Sequence, residues 1–156
     1  TALHSPHIAD VCDISNYVDA LTTPALVIPK APSEFAQRAK VGDLVVATVP
    51  GTNQPVYAVV GDTGPARELG EGSIALNGKL LGRTSLPINY LEVRGRGEFQ
   101  GRGWTVPRAI VLIFPGTRDV ANPFMTPERI DQAAKRHFET WGGVDRLEAC
   151  ASQYRR

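Results

Sequence analysis

Two carboxylates flank one glycine-rich turn of the chain. Asp62 follows the apolar, β-branched run 56–60, and Glu71 comes nine positions later, between Gly70 and Gly72. The run is typical of a buried strand, so Asp62 is expected at a strand end and Glu71 on the loop that follows. Two carboxylates at the mouth of a β-structure are suited to general acid–base cleavage of a glycosidic bond.

Three further side chains are candidates for contact with a sugar substrate. Thr63, next to Asp62, has two interpretations: a hydrogen bond to the carboxylate or the sugar, or a simple turn residue. Tyr57 lies on one face of the predicted strand, where it either stacks on a sugar ring or packs in the core. Trp104 follows a glycine-rich stretch over 95–103 that is expected to be an exposed loop. We therefore predict a sugar-stacking platform at Trp104.

Five other residues have side chains that could take part in binding or catalysis, but structural roles are the preferred interpretation for them. Asp10, Asp13 and Asp43 could line a groove for a cationic polymer, but solvated caps and turns are the preferred interpretation. His137 and Trp141 fall on the apolar face of a predicted helix, which indicates core positions.

The elements that must position these residues are mostly short strands. The helix that begins at Thr126-Pro127 has a hydroxyl cap and a proline in its first turn, and Gly142-Gly143 are expected to end it. The segment 73–81 has two interpretations, a hairpin turn at Asn77-Gly78 or a short capped helix, and we favour the helix. Strands are predicted over 25–28, 43–49, 55–61, 88–93 and 108–114, with 43–61 forming a hairpin. Short strands with one long helix favour a single-domain small β-barrel over a doubly wound sheet.

Composition excludes some functional classes. The 156 residues carry a net charge of +1, without the basic excess that nucleic-acid binding normally needs. No apolar run approaches the roughly 20 residues of a membrane span. The cysteine and histidine spacings do not match a zinc site. We expect a monomer that needs no metal or other cofactor and binds neither nucleic acid nor membrane.

Two cysteines, Cys12 and Cys150, lie near opposite ends of the chain. Because chain termini are often close in space, we predict a disulfide between them. Such a bond would contribute roughly 4–5 kcal/mol in the chain-entropy model and would imply an oxidising compartment. The alternative is a pair of buried thiols. We expect a secreted or extracellular protein, and residues 1–4 lack the features of a signal peptide.

The central segment resembles a known enzyme family. Tyr57 to Pro65, followed by Gly70-Glu71-Gly72-Ser73-Ile74, is similar to the core of the chitosanases of glycoside hydrolase family 75. The flanking segments 24–29 and 113–117 also look like that family. The resemblance implies inverting endo-hydrolysis of a β-1,4-linked glucosamine polymer, with the essential carboxylates at Asp62 and Glu71. The loop between these two residues looks shorter here than in the family.

A broader and shorter resemblance concerns the loop Asp62-Thr63-Gly64. It is similar to the Asp-Thr-Gly-Gly loop of double-psi β-barrel peptidoglycan enzymes, which use one main aspartate. This resemblance implies a six-stranded double-psi β-barrel-like fold with a C-terminal helix, and an amino-sugar polysaccharide as substrate.

An inverting glycosidase holds its acid and its base about 6.5–9.5 Å apart. The loop between Asp62 and Glu71 is long enough to set that separation. We assign Asp62, which is expected to be more desolvated at the strand end, as general acid and Glu71 as base, with the reverse assignment still open. The structural alternative makes Asp62 a turn cap and Glu71 a solvated surface residue.

Three hypotheses follow. The first is an inverting chitosanase, the second is a peptidoglycan-cleaving muramidase or lytic transglycosylase that depends mainly on Asp62, and the third is a non-catalytic barrel that binds wall polysaccharide. The chain has no Gly-x-Ser-x-Gly elbow, which argues against a nucleophilic serine hydrolase. Its glycine-rich loop lacks the Gly-Lys-Ser/Thr ending of a phosphate-binding loop.

Overall fold

A computed structural model describes residues 2–153 of the chain. Its centre is a mixed four-stranded sheet with the strand order β1-β3-β2-β4. Strand β3 pairs with β1 in parallel and with β2 antiparallel, and β2 pairs with β4 antiparallel. The strands are β1 (Ala25–Pro29), β2 (Leu44–Thr48), β3 (Val56–Gly64) and β4 (Ile110–Phe114).

The predicted hairpin over 43–61 is confirmed by the pairing of β2 with β3. Its register places Leu44 opposite Val59 and Ala47 opposite Val56. All five residues of β2 are buried. Because β2 is buried on both faces of the sheet, its sequence is a nearly continuous apolar run rather than an alternation of apolar and polar residues. The predicted strands at 25–28 and 108–114 are also present, although β4 is a half-buried strand at the sheet edge.

The sheet buries two faces. One, here called the α2 face, is covered by helix α2 (Ile74–Leu80) and contains Val45, Ala58 and Val60. The opposite face, here called the α4 face, is covered by helix α4 (Pro127–Trp141). Its buried residues include Leu44, Val46, Val59, Ile130, Ala134 and Phe138. Successive residues of β2 and β3 alternate between these faces, as strand geometry requires.

The preferred helical interpretation of 73–81 is confirmed. Ser73 caps α2 by accepting a hydrogen bond from the Leu76 backbone N–H, 3.1 Å away. The predicted strand over 88–93 is wrong, because helix α3 (Tyr90–Arg94) occupies most of it. Asn89 caps α3 through the Glu92 backbone N–H, and Gly95 ends it with a left-handed backbone. These local capping bonds override the short apolar pattern.

The C-terminal region contains two helices where one was predicted. Helix α4 begins at Pro127 as expected, with Thr126 as its cap. Helix α5 (Gly143–Gln153) follows at once. Gly142 and Gly143 have φ angles of 122° and 62°, so they turn the chain sharply and then let a second helix start. A short helix α1 (Glu34–Arg38) precedes β2.

The fold is therefore mixed α/β rather than mainly β. A β-sheet core with flanking helices and a helix at the C-terminal end agrees with expectation. Over residues 2–153, however, the sheet has four strands instead of six. One predicted strand is helical, and residues 71–73 add only an isolated bridge and a few backbone hydrogen bonds to the edge strand β1.

The predicted Cys12–Cys150 disulfide is wrong, because both cysteines are free thiols. The N-terminal segment is held at the Gly61 end of β3, where the Leu3 backbone N–H donates to the Gly61 carbonyl at 3.0 Å. Helix α5 packs near the turn that joins β2 to β3, at the other end of these strands. The segment that starts at Ala2 and helix α5 therefore lie at opposite ends of β3. Of the helices described, none has the length and apolar character needed to cross a bilayer.

Candidate functional site

Asp62 owes its position to a bulge in β3. Leu26 of β1 is aligned with Val60, but the next residue, Val27, is aligned with Asp62, so Gly61 is an extra residue in β3. An extra residue in one strand changes the side to which the following residues point. Without it, Asp62 would share the α2 face with Val60. With it, Asp62 points to the opposite side together with Val27.

Gly61 is the residue type that this bulge requires. A β-carbon at this position would lie 2.8 Å from the Ala25 β-carbon, closer than two carbon atoms tolerate. Asp62 itself is half-buried, and its Oδ1 accepts a hydrogen bond from the Thr63 backbone N–H at 2.8 Å. The sequence predicted a carboxylate at the end of a strand here. Apart from Gly61, it contains no indication of the bulge that sets the direction of the Asp62 side chain.

Glu71 is exposed, but its backbone is fixed against β1. Its carbonyl accepts a hydrogen bond from the Val27 N–H at 2.9 Å, and Gly72 forms a bridge with Leu26. The side chain turns back towards β3. Its Oε2 lies 3.9 Å from the position that a β-carbon on Gly64 would occupy.

The two carboxylates therefore lie on the same side of the sheet. Asp62 and Gly64 are alternate residues of β3, and side chains of alternate strand residues point to one side about 7 Å apart. Val27, the register partner of Asp62, has its Cγ1 only 3.0 Å from the Gly64 β-carbon position. Glu71 thus reaches the side of the sheet that Asp62 occupies, at a point about two strand residues further along β3.

Ser73 fixes the end of the loop that carries Glu71. Besides capping α2, its Oγ accepts from the Ala25 N–H at 2.9 Å and donates to the Thr23 carbonyl at 2.9 Å. Its own N–H donates to the Ala25 carbonyl at 2.8 Å. The sequence indicated Ser73 only as a helix cap, because bonds to β1 depend on tertiary structure.

Of the predicted substrate-binding residues, Thr63 lies next to Asp62, whereas Tyr57 lies away from it. Thr63 is exposed, and its backbone rather than its side chain bonds Asp62. Tyr57 is half-buried against α4 with an edge-on contact to Phe138, ring centroids 6.4 Å apart. Burial, followed by the nearby carboxylates of α4, raises the pKa of the Tyr57 hydroxyl. Asp62 comes five positions after Tyr57 along β3, a distance of about 16 Å, so Tyr57 belongs to the core.

The predicted exposed platform at Trp104 is wrong. Its ring is 3 % exposed and packs so closely on α2 that a β-carbon on Gly78 would lie 2.6 Å from Cζ3. Its Nε1 donates to Glu92 Oε1 at 3.1 Å, and the Arg83 guanidinium lies 5.5 Å from the ring centroid. Trp104 therefore anchors the 83–104 segment to α2. The glycine-rich stretch before Trp104 suggested that its ring is exposed. The ring is buried instead, because Gly78 has no side chain and leaves space for it on α2.

The preferred structural interpretation fits two of the three other aspartates. Asp10 and Asp13 accept hydrogen bonds from nearby backbone N–H groups in exposed turns. Asp43 is instead fully buried, and its two oxygens accept from the backbone N–H groups of Lys40 and Arg118 at 2.8 and 3.0 Å. It thereby ties together two loops at one end of the sheet.

The predicted core positions on α4 are only partly correct. Trp141 is half-buried and stacks on Phe138. His137 is exposed, with its ring centroid 5.9 Å from that of Phe114. It lies at the margin of the apolar stripe rather than at its centre.

A large cleft lies on the other side of the sheet from the carboxylates. Its volume is about 840 Å³, and its wall includes Gly70 and Gly72 but neither Asp62 nor Glu71. The Glu71 loop therefore separates the cleft from the carboxylate side. Within residues 2–153, no cluster of three His, Cys, Asp or Glu side chains is arranged to hold a metal ion.

No protein-family model matches the chain, and no curated protein matches it. The geometry around Asp62 and Glu71 is therefore the basis for a functional assignment.

Proposed function

We propose that this protein is an inverting endo-glycosidase that hydrolyses β-1,4 bonds of an amino-sugar polysaccharide, with chitosan as its first candidate substrate. The observation that carries the proposal is the placement of Asp62 and Glu71 on one side of the sheet, with Glu71 Oε2 beside the Gly64 position. Inverting enzymes hold their two carboxyl groups about 6.5–9.5 Å apart, and the strand repeat of about 7 Å between Asp62 and Gly64 leaves room for such a separation.

The two carboxyl groups differ in exposure, which supports distinct roles. Asp62 is half-buried and Glu71 is exposed. In the proposed reaction, Asp62 donates a proton to the glycosidic oxygen as the bond to the anomeric carbon breaks. Glu71 accepts a proton from the water that attacks the same carbon from the opposite face. The product sugar leaves with inverted configuration, and proton exchange with solvent restores both groups.

The proposal includes the finer fold hypothesis of a double-psi β-barrel-like core. Two features support it: the parallel β1–β3 pair beside an antiparallel hairpin, and the return of the Asp62 loop across β1 at the Leu26–Gly72 bridge. We further propose that the protein acts as a secreted monomer on polymeric substrate.

The test is release of reducing ends from chitosan, chitin and peptidoglycan in parallel. Wild type is compared with Asp62→Asn and Glu71→Gln, which remove ionisation with little change in size. Glu68→Gln is the matched control, because Glu68 is an exposed carboxylate on the same loop. We expect the two site variants to lose at least a hundredfold in chitosan turnover and the control to retain it. Proton NMR of the first products should show the inverted anomer.

Other outcomes of these assays would support a different function or refute the proposed catalytic residues. Peptidoglycan turnover that requires Asp62 but survives Glu71→Gln would favour a muramidase or lytic transglycosylase. Polysaccharide binding without release of reducing ends would favour a non-catalytic binding module. Chitosan turnover unaffected by both site variants would refute the carboxylate pair.

A further inference from the structure

The cleft on the α2 face has the size and lining of a small-molecule site. Its volume is about 840 Å³, within the roughly 300–1,000 Å³ of typical ligand pockets. Its floor is apolar and is contributed by β1, β2, α2 and β4. The apolar residues of the floor include Leu26, Ala47, Leu76, Leu80, Val111 and Ile113.

The cleft is rimmed by apolar and charged side chains. Phe35 of α1 and Leu69 of the Glu71 loop both line it, with 41 % and 54 % of their surfaces exposed. A contiguous apolar surface rimmed by polar residues is typical of ligand-binding grooves and interaction sites. An elongated apolar ligand would cover both residues.

Three charged residues line the same cleft. Arg38 comes from α1, which packs against β1, and Arg108 precedes β4 at the opposite edge of the sheet. Glu34, one turn before Arg38, is the single acidic member. Among residues 2–153, neither guanidinium makes a side-chain hydrogen bond or an ion pair, and Glu34 forms no ion pair with Arg38. The lining thus has an excess of one positive charge.

We propose that this cleft is a binding site for an anionic amphiphile, a molecule with an apolar chain or ring system and one carboxylate, sulfonate or phosphate group. The apolar portion lies on the floor, and the anionic group lies at the rim, where the guanidinium of Arg38 or of Arg108 binds it. A guanidinium is the side chain best suited to hold such a group, because its donors form a planar fork.

This site is independent of the proposed glycosidase activity. The carboxylates of Asp62 and Glu71 do not line the cleft, and they lie on the opposite side of the sheet. A positively charged rim also disfavours a polycationic sugar polymer. The cleft therefore serves a different ligand from the proposed chitosan substrate.

The test is isothermal titration calorimetry with dodecanoate, kept below its critical micelle concentration, at pH 8. Dodecyltrimethylammonium provides the same chain with the opposite charge. We expect dodecanoate to bind and the cation to bind at least tenfold more weakly. Shortening the chain to decanoate should weaken binding by roughly tenfold, because each methylene contributes about three- to fourfold.

Charge variants locate the anionic group. The variant that removes the binding guanidinium, Arg38→Gln or Arg108→Gln, should weaken dodecanoate binding by about fivefold, the value expected for a partly exposed charge pair. Glu34→Gln should strengthen it, because it removes the opposing charge. Arg136→Gln is the matched control, since Arg136 is an exposed arginine of α4 outside the cleft. All four side chains are exposed, so folding should be preserved.

The results separate the site from unspecific adsorption. Equal binding of the anion and the cation, or an unchanged affinity in the Arg38→Gln/Arg108→Gln double variant, would overturn the proposal. Absence of heat with dodecanoate and with the aromatic anion 8-anilinonaphthalene-1-sulfonate would overturn it as well. None of these results depends on hydrolysis of a polysaccharide.

Discussion

Glu71 Oε2 lies 3.9 Å from the point that a β-carbon on Gly64 would occupy, so the second carboxylate of the site reaches over the end of strand β3. Val27 Cγ1 lies 3.0 Å from the same point. The absence of a side chain at Gly64 therefore leaves the space in which Glu71 approaches the Asp62 side of the sheet. This relationship connects the loop, the bulged strand and the proposed chemistry.

A methyl group at Gly64 should disturb the site more than the fold. We expect Gly64→Ala to lower chitosan turnover by about tenfold or more, because small displacements of a catalytic group are costly. The free energy of unfolding should fall by only about 1–2 kcal/mol, since Val27 is half-buried and its side chain can shift. Reducing-end assays and urea denaturation measure the two effects.

The double variant Val27→Ala/Gly64→Ala is the control for that prediction. It removes the closest contact of the new methyl group and leaves the approach to Glu71 blocked. The free energy of unfolding of the double variant should then be close to that of Val27→Ala alone, while its chitosan turnover remains low. Full activity in Gly64→Ala would show that Glu71 does not depend on this space.

Glu92 should make stability depend on pH. The Ile88 backbone N–H, at 2.7 Å, and then the Trp104 Nε1–H, at 3.1 Å, lower the pKa of the Glu92 carboxyl below its ordinary value of 4.5. A carboxyl with a lowered pKa in the folded state stabilises the protein above its unfolded pKa, and this contribution disappears as the pH falls through the folded value. Glu92→Gln should thus have a lower Tm than wild type at pH 7.

The difference in Tm between wild type and Glu92→Gln should shrink steadily below about pH 4.5. Glu98→Gln, an exposed glutamate of the same segment, should match wild type at neutral pH. A difference that stays constant from pH 7 to pH 3 would mean that the substitution acts through packing of Trp104 rather than through ionisation.

Asp43 should be a strong determinant of stability. Both of its carboxylate oxygens accept from backbone N–H groups, of Lys40 and Arg118, in a fully buried position. Asparagine has only one acceptor oxygen, so Asp43→Asn leaves one buried N–H without a partner. We expect the free energy of unfolding to fall by about 2–3 kcal/mol in a denaturant titration. Asp145→Asn, at an exposed site on α5, should change it by less than about 1 kcal/mol.

The two thiols should be independent of each other. Cys12 is exposed and Cys150 is half-buried, and neither is in a disulfide. We expect a thiol reagent to titrate both groups without prior reduction, Cys12 faster than Cys150. Addition of a reductant should leave Tm unchanged. A reductant-induced drop of several degrees would restore the hypothesis of a long-range disulfide.

Local patterns in the sequence determined much of the secondary structure. The hairpin of β2 and β3, the Ser73-capped helix and the start of α4 at Pro127 were all predictable. Their signals are apolar runs, turn residues and capping side chains, which act within a few residues of one another. The carboxylates Asp62 and Glu71 were identified for the same reason, since both stand beside recognisable local elements.

Only the tertiary structure decided how those elements serve the site. The bulge at Gly61 turns Asp62 towards the side of Val27, and it depends on contact with Ala25 of a neighbouring strand. The burial of Trp104 depends on the space above Gly78 in a helix that lies 26 positions earlier in the chain. Close packing and strand register are set by residues distant in sequence, so no local pattern encodes them. For that reason the sequence named the two carboxylates, and the fold determined that they share one side of the sheet.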